Sequence, residues 1–179
     1  MKKLFALTAL AVGALLLVSC SKDESDNLVG SYTYKTSGTV RLHIREIAEP
    51  DPENSDRRQL DTMVTIGLSP EQGQMHIVSS DGNGAVKVTF NDIAGNVDVA
   101  DARIDGSSLT ISGNPSKVVQ FAVEKLISIS SGIVTYTGSG TKYDRTFIAD
   151  FKYDGDLSNA DYEITIVDSD VHCVAQAND

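Results

Sequence analysis

The sequence predicts an all-β domain, an antiparallel up-and-down barrel or barrel-like sandwich of about eight to ten strands. Two observations carry this expectation. From Leu28 onward apolar and polar residues alternate with period two, the spacing of half-buried strands. Turn signals break the alternation about every 8–12 residues, and 14 Gly against only 4 Pro fit many tight turns.

The elements follow in chain order. Leu28–Tyr34 opens the domain, with a turn expected at Ser37-Gly38. Val40, Leu42 and Ile44 then face one way while Arg41, His43 and Arg45 face the other. Ala48 to Arg58 holds Pro50, Pro52 and mostly charged residues, so an exposed loop is expected between the second and third strands. Leu60, Thr62, Val64, Ile66 and Leu68 share a face, as do Val86, Val88 and Phe90, and later Tyr162, Ile164 and Ile166. Further turns are marked by Pro70 to Gly73, Asp81-Gly82-Asn83-Gly84, Ala94-Gly95-Asn96, Asp105-Gly106 and Asp154-Gly155. Asn114 to Leu126 fits two patterns. Ser116 can cap a short helix over 116–126 with Val118, Ala122 and Leu126 on one side, and this is the favoured reading. Val119, Phe121 and Val123 alternate as a strand would.

Ahead of the domain, residues 1–19 read as an export signal. Lys2 and Lys3 precede an apolar stretch from Leu4 to Val18, too short for a permanent transmembrane helix. The ending Leu17-Val18-Ser19-Cys20 resembles the lipobox of bacterial lipoproteins, which implies lipidation at Cys20 and a membrane anchor through it. Each buried CH₂ contributes about 0.8 kcal/mol, so two or three acyl chains anchor firmly. Ser21 to Asn27 has no apolar residue and reads as a solvated tether. Its Lys22-Asp23-Glu24 resembles the acidic tag that directs lipoproteins of Bacteroidetes to the outer face of the outer membrane, and surface display is expected accordingly. Residues 28–179 form a single β domain with no dividing linker or internal repeat.

The charge excludes one class of partner. The net charge is −10, and with Lys2 and Lys3 in the export signal the remainder is more acidic still. Nucleic-acid binding needs clustered Lys and Arg, so no nucleic-acid partner is expected.

Leu28-Val29-Gly30-Ser31-Tyr32-Thr33-Tyr34 resembles the first strand of lipocalin-like, or calycin-like, small surface lipoproteins of Bacteroidetes. There a Gly-x-Tyr or Gly-x-Trp begins a meandering antiparallel sheet. Val86–Phe90, Ser108–Gly113 and Thr135–Gly140 are similar to later strands of such proteins. The resemblance implies a meandering barrel but assigns no ligand-contact residue.

Few residues point to chemistry. His43, His76 and His172 show no ligand spacing, and no His or Cys cluster suits zinc, so no metal or cofactor is expected. His43 is expected to be solvated. Asp81-Gly82-Asn83-Gly84 lacks the later donors of a calcium loop and reads as a hairpin turn. Asp150, Asp154 and Asp156, or Asp168 with Asp170, are the carboxylates an adventitious calcium ion would find. There is no Gly-x-Ser-x-Gly elbow, and Ser128, Ser130 and Ser131 lack a recognisable paired base, so no enzymatic activity and no catalytic residue are expected. Cys173 reads as a packed small hydrophobe. Tyr32, Tyr34, Tyr136, Tyr143, Tyr153 and Tyr162 either pack the core, line a cavity or stack on sugars.

The expectation is a non-enzymatic surface lipoprotein that binds a small apolar or amphipathic ligand in or at the barrel. The alternative is a module that contacts surface proteins, glycans or host molecules without enclosing a ligand. The size of the inward side chains discriminates: Val40, Leu42, Ile44, Val64, Ile66, Val88 and Phe90 are medium to large and argue for a filled interior.

Overall fold

The computed structural model describes residues 27–47, 59–122 and 129–179. The export signal, Cys20, most of the tether, the charged segment 48–58 and residues 123–128 lie outside them. The described chain is all-β, with ten strands: β1 (Gly30–Glu46), β2 (Asp61–Gly67), β3 (Gln72–Gly82), β4 (Ala85–Asp92), β5 (Val97–Asp105), β6 (Ser108–Ser112), β7 (Ser116–Gln120), β8 (Ser131–Tyr143), β9 (Thr146–Asp154) and β10 (Tyr162–Ala177).

Eight of these strands form a closed antiparallel barrel in the order β1-β3-β4-β5-β6-β8-β9-β10, with β10 pairing back onto β1. Closure leaves the barrel without a free edge. The meander is interrupted twice, where β2 and β7 leave the ring. β1 pairs with β3 through Gly30–Lys35 and with β2 through Thr39–Arg45, while β10 runs along its other side for nearly its whole length. At the start of β8, β7 pairs in the same manner. Backbone bonds from Ser69 N–H to the Gln120 carbonyl (2.9 Å) and from Ala122 N–H to the Gly67 carbonyl (2.8 Å) tie the ends of β2 and β7 together.

Two sequence expectations are corrected here. Ser37-Gly38 is not a turn, because both residues lie inside the uninterrupted β1. Gly38 is needed there for close approach: a Cβ on it would meet the Asp170 carbonyl oxygen at 2.1 Å. Nor is there a helix at the start of 116–126. Ser116–Gln120 is a strand with Val119 and Phe121 buried, while Val118 and Ala122 face out. Pairing with β8 satisfies the backbone of this segment, and that non-local gain overrides local propensity. The remainder of the segment, 123–126, lies outside the described residues. A turn at Asp144-Arg145, which the sequence reading lacked, joins β8 to β9, with Asp144 at φ 54°. Of the Pro70 to Gly73 signal only Pro70 and Glu71 lie between strands, because Gln72 and Gly73 already pair in β3. The remaining turn signals fall at or between strand ends as expected.

Both ends of the barrel are covered. At one end Leu28 is fully buried, and its carbonyl accepts a hydrogen bond from the Tyr32 hydroxyl at 2.7 Å. Lys142 donates to the Asn27 carbonyl at 2.5 Å and lies 5.4 Å from the centre of the Tyr32 ring. At the other end β7 brings Lys117 against residues at the starts of β3 and β5.

Candidate functional site

The lumen comes first, because a container must have room. Inward positions carry aromatic rings that touch in a chain from wall to wall. Tyr34 meets Phe90 (5.3 Å between ring centres), Phe90 meets Phe151 (6.2 Å), Phe151 meets Tyr136 (5.8 Å), and Tyr136 meets Tyr153 (6.2 Å). Gly138 on β8 makes space for Phe151 of this chain, and Gly140 for the neighbouring buried ring of Phe147. A Cβ on Gly138 would meet Phe151 Cδ1 at 2.2 Å, and one on Gly140 would meet Phe147 Cζ at 2.3 Å. Tyr32, Tyr34, Tyr136 and Tyr153 are thus core residues, Tyr162 is half-buried and Tyr143 is exposed.

One polar cluster sits inside. The Lys117 ammonium is 2.6 Å from Glu71 Oε2 and 3.3 Å from Asp98 Oδ2. Burial alone would pull the ammonium below its ordinary value, but the Glu71 charge, the hydrogen bond to it and the Asp98 charge outweigh burial and hold it above. Burial raises the Tyr34, Tyr136 and Tyr153 hydroxyls, and it pushes the fully buried Cys173 thiol up to about 12. The Tyr136 hydroxyl is buried without a hydrogen-bond partner. The sequence reading missed this cluster because it leaned to a helix. On a strand, Lys117 shares the inward face of Val119 and Phe121, which is the signal that marks it.

The histidines stand apart on the outer wall. His43 Nε2 lies 2.7 Å from Asp61, His76 Nδ1 2.9 Å from Ser31 Oγ, and His172 Nδ1 2.6 Å from Asp150. The Asp150 hydrogen bond, with the Asp170 charge beside it, raises His172 above its ordinary value. Four of the candidate calcium carboxylates are engaged locally: Asp150 and Asp170 with His172, Asp168 with Lys152 at 3.2 Å, and Asp156 with the Ser158 N–H at 2.9 Å. Among the described residues no three His, Cys, Asp or Glu side chains converge as a metal site. Ser130 and Ser131 are exposed, and Ser128 and Cys20 lie outside the described residues.

Among the described residues two open grooves of equal volume, about 450 Å³, lie on the outside of the barrel; one is lined by Ile133, Thr135, Asp154, Asp156 and Thr165, the other lies over the β6–β8 junction. β6 meets β8 over three pairs only, Ser108↔Thr141, Leu109↔Gly140 and Thr110↔Ser139. The groove over this junction is lined by Ser108, Thr110, Ser139, Thr141, Tyr143, Ile148 and Asp150. Among the described residues the Ser108, Thr110, Ser139 and Thr141 hydroxyls have no side-chain hydrogen-bond partner. Tyr143 is 63% exposed at one end, and Asp150, held by His172, stands on the β9 side. The Ser/Thr alternation of β6 and β8 is visible in the sequence. That the two strands would be neighbours is not.

These features define the protein as a closed eight-stranded antiparallel meander barrel with a packed lumen and a hydroxyl-lined outer groove. The chain matches no family model and no curated protein.

Proposed function

We propose that the chain is a lipoprotein, lipidated at Cys20 and displayed at the outer face of the outer membrane, whose barrel binds partners on its outside and catalyses nothing. One observation carries the outward-acting reading: the aromatic chain Tyr34–Phe90–Phe151–Tyr136–Tyr153 crosses the lumen. Pockets that enclose small molecules have volumes of about 300 Å³ or more, and these rings take the middle of the barrel where that space would lie. The resemblance of Gly30-Ser31-Tyr32 to the opening of lipocalin-like surface lipoproteins agrees with its place at the start of β1. The lipobox-like ending and the acidic Lys22-Asp23-Glu24 support the anchor. From Cys20 to Asn27 the chain reaches at most about 25 Å. The Leu28 end of the barrel is therefore the one nearest the lipid, and the Lys117 end is turned away.

A second reading, the enclosed small amphipathic ligand, is favoured by the unpartnered Tyr136 hydroxyl within the lumen. Native mass spectrometry of the whole chain purified from its own membrane separates the two. A protein mass with acyl chains and nothing else is the expected result. A small molecule released only on unfolding would replace the outward-acting reading with the enclosed one. Fatty-acid labelling that persists in Cys20→Ala would refute the anchor, as would protection from protease on intact cells the surface display.

A further inference from the structure

We infer that the groove across β6, β8 and β9 binds neutral oligosaccharides; this rests on the outward-acting reading above. A sugar ring presents an apolar C–H face and a rim of hydroxyls that both donate and accept. The groove matches both surfaces. The exposed Tyr143 ring offers an aromatic face with a polar tip at one end, and Ile148 adds an apolar patch. Ser108, Thr110, Ser139 and Thr141 supply unpartnered hydroxyls with the same donor-and-acceptor character as the ligand. Asp150 accepts only. Its Oδ1 is engaged by His172, which fixes the carboxylate and leaves Oδ2 for a ligand hydroxyl.

The alternatives fit less well. No Lys or Arg lines the groove, and its one ionised group beside the histidine pair is acidic, so phosphate, sulfate and uronate polymers are repelled. A wholly apolar ligand would leave four hydroxyls and a carboxylate desolvated without partners. All the lining residues stand on paired strands or at the end of one, so the surface is preorganised and little ordering entropy opposes binding.

The whole chain is applied to an array of neutral and uronate-bearing oligosaccharides, and neutral hits are titrated by calorimetry against Tyr143→Ala, Asp150→Asn and Ile133→Ser. Ile133 is exposed on the outer wall, away from the groove. Tyr143→Ala is expected to weaken binding about tenfold, Asp150→Asn measurably less, and Ile133→Ser not at all. Tyr143 is mostly solvent-exposed, so the variant is expected to retain the wild-type circular dichroism spectrum. Failure to bind any neutral oligosaccharide, or preference for uronates, overturns the inference. So does neutral binding at full strength in both groove variants, although that outcome leaves the outward-acting barrel standing. A ligand found in the lumen would instead overturn that broader reading.

Discussion

Lys117 Nζ donates to Glu71 Oε2 across 2.6 Å, joining the strand that crosses the barrel end to the residue just before β3. The lysine side chain is 6% exposed, whereas Glu71 and Asp98 keep 23% and 20% of theirs. Removing the cation strands two partly buried carboxylates near each other. Lys117→Met is expected to lower unfolding stability by about 3 kcal/mol, the low end for a broken buried pair because water still reaches the acids. Glu71→Gln should cost less, since Asp98 still neutralises the ammonium. Urea unfolding of the two variants checks the order, and equal losses would contradict it.

Two tyrosines of the same lumen should respond in opposite directions. Tyr32→Phe deletes the 2.7 Å hydrogen bond to the Leu28 carbonyl and leaves that buried acceptor unmet, a loss of about 1–2 kcal/mol. Tyr136→Phe deletes a buried hydroxyl that has no partner, so it is expected to be neutral or stabilising by up to about 1 kcal/mol. Thermal unfolding of both variants is the check. A clear loss in Tyr136→Phe would mean that its hydroxyl holds a water or a ligand.

Close backbone approach makes two glycines intolerant of a single methyl group. Gly38→Ala would press a Cβ onto the Asp170 carbonyl, and Gly140→Ala would press one onto Phe147 and Ala149. Each is expected to cost about 3 kcal/mol through shifted strands or displaced rings. Gly95→Ala is the informative contrast, because its site is open and only its φ of 91° opposes the change. If Gly38→Ala unfolds at the same denaturant concentration as the wild type, the uninterrupted β1 is wrong.

High pH should unfold the domain. Cys173 is raised from 9.0 to about 12 by burial, the buried tyrosines are raised from 10.0, and Lys117 is raised from 10.5. In every case the folded protein holds a proton that the unfolded chain releases sooner. Their contribution is therefore complete below about pH 9 and declines as pH rises through the folded values, by about 1.4 kcal/mol per pH unit for each group titrating. Chemical unfolding between pH 8 and 11 should show a midpoint that falls only above pH 9. In the same range a thiol reagent should label Cys173 at the unfolding rate rather than on mixing. Rapid labelling of the native protein at pH 8 would contradict its burial.

The candidate site was less legible in the sequence than the fold. Ser108 with Thr110 and Ser139 with Thr141 each read as the polar face of a strand. Nothing local says that these two faces adjoin across a three-pair junction, because 28 residues and a diverted β7 separate Thr110 from Ser139. Asp150 and His172 were individually visible, and only the β9–β10 register brings them together.

Alternation of period two by itself determined that Val40, Leu42, Ile44, Val86, Val88, Phe90 and Ile164 would be buried, since a strand turns every second side chain to one face. The turns at Gly82-Asn83-Gly84, Gly95 and Gly106 likewise follow from residues that tolerate positive φ. Tertiary structure alone decided what those faces would meet. It drew β1 past Gly38 as one strand, because β3, β2 and β10 together satisfy its backbone on both sides. It made Ser116–Gln120 a strand, because β8 offered a ladder that a helix could not use, and in doing so it carried Lys117 inward to Glu71 and Asp98. Side-chain period encodes which face is buried. Strand partners are separated by tens of residues, so their choice is made by collective closure and packing of the barrel.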